Sequence, residues 1–125
     1  IQGKRKHIWQ MYYDGLNGKI DSRIRIPFIP DYATNNAHMF YLVCPSLEYR
    51  NSLMKYLKEN GIQTTFHYLP LHSSKYYVSK HDGRELVNCD HYADTLVRLP
   101  LFYELKDEDI FYIIKSILRF RYYKE

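Results

Sequence analysis

Apolar residues recur at helical spacing in three stretches of the chain and run together without alternation in two others. Ile8, Met11, Tyr12 and Leu16 share one face of an opening helix, which the turn dipeptide Asn17-Gly18 stops. Leu53, Met54 and Leu57, flanked by Tyr49 and Tyr56, give a second helix over residues 47–60. Ser46 stands as its N-cap and Gly61 just past its end. Ile110, Ile113, Ile114, Ile117 and Leu118 give the sharpest stripe, over residues 107–119. Asp107, Glu108 and Asp109 fill the first turn of that helix, where its dipole favours negative charge. Residues 38–43 are bulky and continuous, which predicts a mostly buried strand, and residues 62–67 predict a second.

Between these lie weaker signals. A loop punctuated by Pro27, Pro30 and Asn35-Asn36 holds a short extended piece at 24–26, and residues 69–88 are polar and irregular around Tyr76 and Tyr77. A short helix over 90–95 leads into an extended 96–99. A helix between the first two strands favours parallel neighbours over an antiparallel pair, but the strand order stays open. The chain shows no internal repeat and no low-complexity segment. The fold class is α+β: a small sheet with helices packed on it.

Composition narrows the function classes. With 125 residues and 46% apolar content, the chain suits one compact domain rather than a disordered segment. A net charge of +4 permits an anionic ligand without demanding one, and only residues 119–124 are both basic and aromatic. Cys44 and Cys89 are too few for a disulfide framework and read as reduced thiols of a cytoplasmic protein. No apolar run is long enough to cross a bilayer, and the start is not a signal peptide. The chain opens inside a helix, with neither Met nor a capping residue before it, so it reads as a piece of something longer.

Three stretches in order resemble the DegT/StrS-type sugar aminotransferases. They are Asn35-Asn36-Ala37-His38-Met39-Phe40-Tyr41, then Gly61-Ile62 with Thr65-Phe66-His67-Tyr68-Leu69-Pro70-Leu71-His72, then Arg98-Leu99-Pro100-Leu101-Phe102 with the acidic start of the last helix. The likeness covers nearly the whole chain. Within the family it is most similar to transaminases that make a 4-amino-4,6-dideoxyhexose on a thymidine diphosphate carrier.

The resemblance implies that residues 1–125 are the small C-terminal domain of a fold-type-I aminotransferase. It also implies a cytoplasmic homodimer that moves an amino group, from glutamate as the usual donor, to a keto sugar on a nucleoside diphosphate. Cell-surface polysaccharide or lipopolysaccharide synthesis is the expected setting. Pyridoxal 5'-phosphate would be held by a large domain outside this chain, so no catalytic or cofactor-binding residue is expected here. Two departures stand out. Lys106 occupies the place where the family usually has a Ser or Thr cap, and the polar insert between His72 and His91 matches poorly.

His67 and Tyr68 are the first candidates for substrate binding. They follow a strand, Pro70 holds Leu69 extended, and both side chains can hydrogen-bond a sugar hydroxyl or a diphosphate. The competing reading of His67 is a core histidine satisfied by backbone carbonyls. His72 either reaches the same cleft or caps the following loop. His38, at the start of a buried strand, is either a ligand contact or a structural histidine.

A zinc site from His67, His72, Cys89 and His91 fits no compact spacing, and no metal is expected. Lys75, Lys80 and Lys115 read as solvated rather than as Schiff-base residues.

Two other functions compete. Fourteen tyrosines, six phenylalanines and a basic tail suit a single-stranded nucleic-acid surface. The dispersed charge, the lack of a Gly-aromatic ribonucleoprotein motif and tyrosines lying on apolar helix faces argue against it. A free-standing interaction module with the same fold is the second. Finally, Trp9, Tyr12 and Tyr13 have little sequence-local cover, so the opening helix is expected to expose an apolar face to the large domain or a partner subunit.

Overall fold

The computed structural model describes residues 1–124. Four helices, α1 (Gln2–Leu16), α2 (Leu47–Glu59), α3 (Val87–Thr95) and α4 (Asp107–Arg119), accompany three short strands. The strands are β1 (Tyr41–Val43), β2 (Thr65–Phe66) and β3 (Leu96–Arg98). α1 stops at Asn17, whose extended backbone (ψ 121°) leaves the helix, and Gly18 takes the positive φ of the turn. Ser46 caps α2 by accepting a hydrogen bond from the Tyr49 N–H at 3.1 Å, and Gly61, at φ 76°, carries the chain out of it. α4 has the predicted bounds, with Lys106 in the N-cap position and no side chain capping it.

The sheet order is β1-β3-β2, and both outer strands pair antiparallel with β3. Tyr41 and Thr65 both face Arg98 across the ladders, while Leu42 and Phe66 face Val97. β1 and β2 therefore run parallel, joined by the α2 crossover, but the last strand lies between them. An isolated bridge from Arg25 to Val43 adds the predicted extended piece at the β1 edge. The strands are shorter than the apolar runs suggest. Residues 38–40 lie outside the strand, and His38 is exposed rather than buried at its start.

One face of the sheet carries the core. Phe40, Leu42 and Val97 are fully buried against Ile8, Tyr12 and Leu16 of α1, Leu53 and Leu57 of α2, and Ile110 and Ile113 of α4. Apolar burial of this kind contributes roughly 25 cal/mol per Å² removed from water. α1 and α4 cross closely: a Cβ on Gly15 would meet Ile114 Cδ1 at 2.6 Å.

The expectation of an exposed apolar face on α1 is overturned. Trp9 is only 6% exposed, stacked on Tyr13 at 5.4 Å and edge-on to Phe40 at 5.3 Å; Tyr12 is buried and its hydroxyl donates to the Pro100 carbonyl at 2.8 Å. Cover comes from residues distant in sequence, which local patterning does not register.

The opposite sheet face is open. Tyr41, Leu96 and Arg98 are half-buried and Thr65 is exposed; Val43, beside the Arg25 bridge, is the buried exception, and the Arg25–Phe28 loop and Tyr92 border the rest. Among the described residues, no helix is long and apolar enough to cross a membrane.

Candidate functional site

β2 ends at Phe66, whose side chain turns to the core side of the sheet, so the alternation of a strand sends Thr65 and His67 to the open face. His67 forms the wall of an open hollow of about 520 Å³ that also takes in Arg25, Met39, Tyr41, Tyr92 and Leu96. A smaller hollow of about 260 Å³ lies on its other side, lined by Tyr68, Pro70, Cys89 and Tyr92. The Nδ1 atom of His67 is shut off from solvent and has no hydrogen-bond partner. A buried polar atom left unpaired costs about 1–3 kcal/mol, and no internal hydrogen bond at Nδ1 fixes the ring that lines both hollows. The Tyr68 ring sits 4.7 Å from the His67 ring and is itself 75% exposed, with its hydroxyl free to reach outward.

The four predicted site residues do not share one place. His67 and Tyr68 are adjacent. His72 turns away from their hollows and places Nε2 2.8 Å from Asp90 Oδ1, pinning the 3-10 turn Leu71–Ser73 to α3. Its ring also lies 5.3 Å from that of His81, inside the polar insert. His38 lies at another hollow, of about 270 Å³, with Gln63, Thr65 and Arg98. The backbone explains its outward position. Ala37 adopts φ 51°, a left-handed conformation uncommon for alanine, and the side chains of Asn35 and Asn36 accept hydrogen bonds from the N–H groups of Ala37 and His38 at 2.8 and 3.1 Å.

Several site-side residues escaped the sequence reading. Arg98 and Tyr41 lie opposite each other on the open face, and Tyr92 borders both hollows beside His67. Strand parity would mark Arg98 and Tyr41 once the order of the strands is known, whereas Tyr92 lies on α3 and carries no such signal. Arg50, buried on α2, donates to the Ala93 carbonyl and lies over the Phe66 ring at 5.9 Å, fixing β2 and α3 together behind the site.

Lys75, Lys80 and Lys115 are exposed, and Lys80 rests on the Tyr76 ring at 3.7 Å. Lys4, half-buried, reaches Asp107 at 3.8 Å. Among the described residues, no three His, Cys, Asp or Glu side chains converge as metal ligands. Tyrosines divide between two roles: Tyr12 and Tyr49 are buried, but Tyr32, Tyr68, Tyr76 and Tyr103 stand in solvent, so the expectation that most pack on helix faces holds only in part.

The model of the DegT/DnrJ/EryC1/StrS aminotransferase family matches residues 1–118. The fold is also that of solved aminotransferases. S. venezuelae DesV, in complex with a ketimine intermediate, is 25% identical with a TM-score of 0.82, covering 94% of this chain and 31% of its own. The aminotransferase TlmJ from Streptoalloteichus hindustanus superposes equally well (TM-score 0.82, 24% identity, 94% and 30% coverage). So does PseC of Helicobacter pylori, an aminotransferase involved in the biosynthesis of pseudoaminic acid (TM-score 0.82, 17% identity, 94% and 32% coverage). The chain spans less than a third of the length of each.

Proposed function

The chain belongs to the DegT/DnrJ/EryC1/StrS aminotransferase family, and from that premise we infer that it is the small, substrate-side domain of a pyridoxal-phosphate-dependent sugar transaminase. The whole enzyme moves an amino group, from glutamate, to a keto sugar on a nucleoside diphosphate, a thymidine diphosphate 4-keto-6-deoxyhexose being the substrate favoured by sequence. It works as a cytoplasmic homodimer supplying cell-surface polysaccharide or lipopolysaccharide synthesis.

The lysines here do not fit a Schiff base to the cofactor, because such a lysine needs a dry or cationic pocket and those described are exposed or ion-paired. On this reading the cofactor and its lysine belong to a large domain outside these 125 residues. The role left to this chain is binding and orienting the sugar nucleotide.

The observation that carries the reading is the His67 ring, which lines two hollows while its Nδ1 is bound to no other residue. In the full-length enzyme, His67→Ala and Tyr68→Phe are expected to weaken use of the sugar nucleotide while sparing the half-reaction with the amino donor. A lost hydrogen bond to a neutral hydroxyl costs about 0.5–1.5 kcal/mol and one to a charged diphosphate about 1.5–3 kcal/mol. The latter is a fall of roughly 10–150-fold in kcat/KM. Equal damage to both half-reactions, with a lowered melting temperature, would make His67 scaffolding instead.

A further inference from the structure

Arg98 sits on β3, the central strand, with its side chain on the open face between Tyr41 and Thr65. It is half-buried, and among the described residues no carboxylate lies within ion-pair distance and no hydrogen bond engages its guanidinium. The other arginine drawn most deeply into the fold behaves differently: Arg50 is held by the Ala93 carbonyl, Asn51 and the Phe66 ring. A guanidinium presents five donors and stays charged at any ordinary pH, so one that reaches solvent unpaired at the edge of a hollow is a ready partner for an anion.

The surroundings of Arg98 suit that arrival. Its hollow of about 270 Å³ is lined by His38, Gln63 and Thr65 and by the Leu99–Phe102 turn, with no carboxylate in the lining. An imidazole, a primary amide and a hydroxyl can all donate to an oxygen, and the one fixed charge is positive. The Ala37 left-handed turn with its two asparagine contacts sets His38 at this hollow. Tyr12 holds the opposite rim through the Pro100 carbonyl.

We propose that the hollow framed by Arg98, Thr65, Gln63 and His38 binds an oxyanion, Arg98 being the residue that holds it. The site adjoins the His67 wall, since Met39 lines both hollows, but Arg98, Gln63 and His38 line this one whereas His67 lines the two beside Tyr92. Either a phosphate or a carboxylate matches the planar fork of the guanidinium. Which of the two the hollow takes in the working enzyme rests on the transaminase reading above; the site itself does not.

The test is a titration of the 15N-labelled chain with inorganic pyrophosphate and, separately, L-glutamate, at constant ionic strength made up with chloride. The expected result is that at least one of them moves the Thr65, Arg98 and Leu99 amide signals in a saturable way. Pyrophosphate alone assigns the phosphate source, glutamate alone the carboxylate source, and both together a site selective for charge. Arg98→Gln is expected to weaken binding roughly tenfold or more, because a charge-assisted pair is lost, with Arg98→Lys in between. Amide signals outside the hollow report that each variant remains folded. His67→Ala is expected to leave the titration unchanged, so failure of the transaminase reading and failure of this one are distinguishable. No saturable shift with either probe, shifts that chloride reproduces, or undiminished binding in Arg98→Gln would each overturn the proposal.

Discussion

Gly15 on α1 lies directly against Ile114 on α4, with room for hydrogen only: an added Cβ would stand 2.6 Å from Cδ1, 3.1 Å from Cγ2 and 3.3 Å from Cγ1. Three atoms of one branched side chain are too close, so a single rotamer change does not clear them. Gly15→Ala gains about 1 kcal/mol of helix propensity and loses about 1–3 kcal/mol to overpacking. A net destabilisation is expected in chemical denaturation. Ile114→Val, which removes the closest carbon, should recover part of it in the double variant. Strict additivity of the two changes would show that the helices shift apart freely.

Lys106 occupies an N-cap position that its side chain cannot serve. Its backbone is already extended at φ −86° and ψ 154°, the shape of an N-cap, but its side chain cannot accept from the exposed N–H groups of α4. Lys106→Ser should raise stability by about 0.5–1 kcal/mol, since the Lys106–Glu108 contact it removes is exposed and 4.0 Å long. Thermal melts of the two proteins decide it; no rise would mean that water already satisfies that turn.

A pH dependence follows from Asp21. Hydrogen bonds from the Arg23 side chain and N–H, and a further one from the Tyr49 hydroxyl, hold its carboxyl well below the usual range. Burial pushes Tyr49 up to about 12, so its hydroxyl remains a donor at neutral pH. Because the folded Asp21 releases its proton more readily than the unfolded one, its contribution is present above about pH 4 and fades as pH falls towards the folded value. With the Asp21 side chain 31% exposed and Arg23 more so, screening keeps that contribution to about 1 kcal/mol or less. Asp21→Asn should therefore lower the melting temperature at pH 7, and the gap to the parent should narrow steadily below about pH 4. A gap that persists in acid would mean that packing, not charge, is responsible.

The two cysteines should separate cleanly by reactivity. Cys44 is 1% exposed, and burial pushes its thiol up to about 12, whereas Cys89 is exposed on α3. A thiol reagent at pH 8 is expected to label one site per chain quickly and the second only at the rate of unfolding. Rapid labelling of both would show that the α2–β1 corner opens far more often than its packing implies.

The helices were legible because their signals are local: the isoleucines of α4 repeat at 3.6 residues, and Ser46 and Gly61 punctuate α2. The strands were overextended because their length is set by β3, only three residues long, which no neighbouring sequence announces. His38 was misplaced for a different reason. Ala37 takes a backbone conformation that its side chain does not favour, held by two asparagines whose role hydrophobic patterning does not register. Trp9 looked uncovered because its partner, Phe40, lies about thirty residues away along the chain. Of the candidate site residues, the motif marks His67 and Tyr68, and their rings lie 4.7 Å apart. Arg98 was read past because its facing depends on which strands it pairs with.

The position of β3 between two strands made earlier also fixes an order of assembly. Neither β1 nor β2 has a ladder partner within residues 41–66 of the sheet, so both must wait until Leu96–Arg98 has left the ribosome. Until then only helical turns, the Arg25–Val43 bridge and loose apolar contacts can form, and the strand edges that β3 will pair stay available to other chains. One short strand, arriving late, satisfies both edges together and turns Arg98 to the open face in the same event. A chain halted between Phe66 and that strand contains α1, α2 and the segments of both outer strands, but lacks the strand that joins them and carries Arg98.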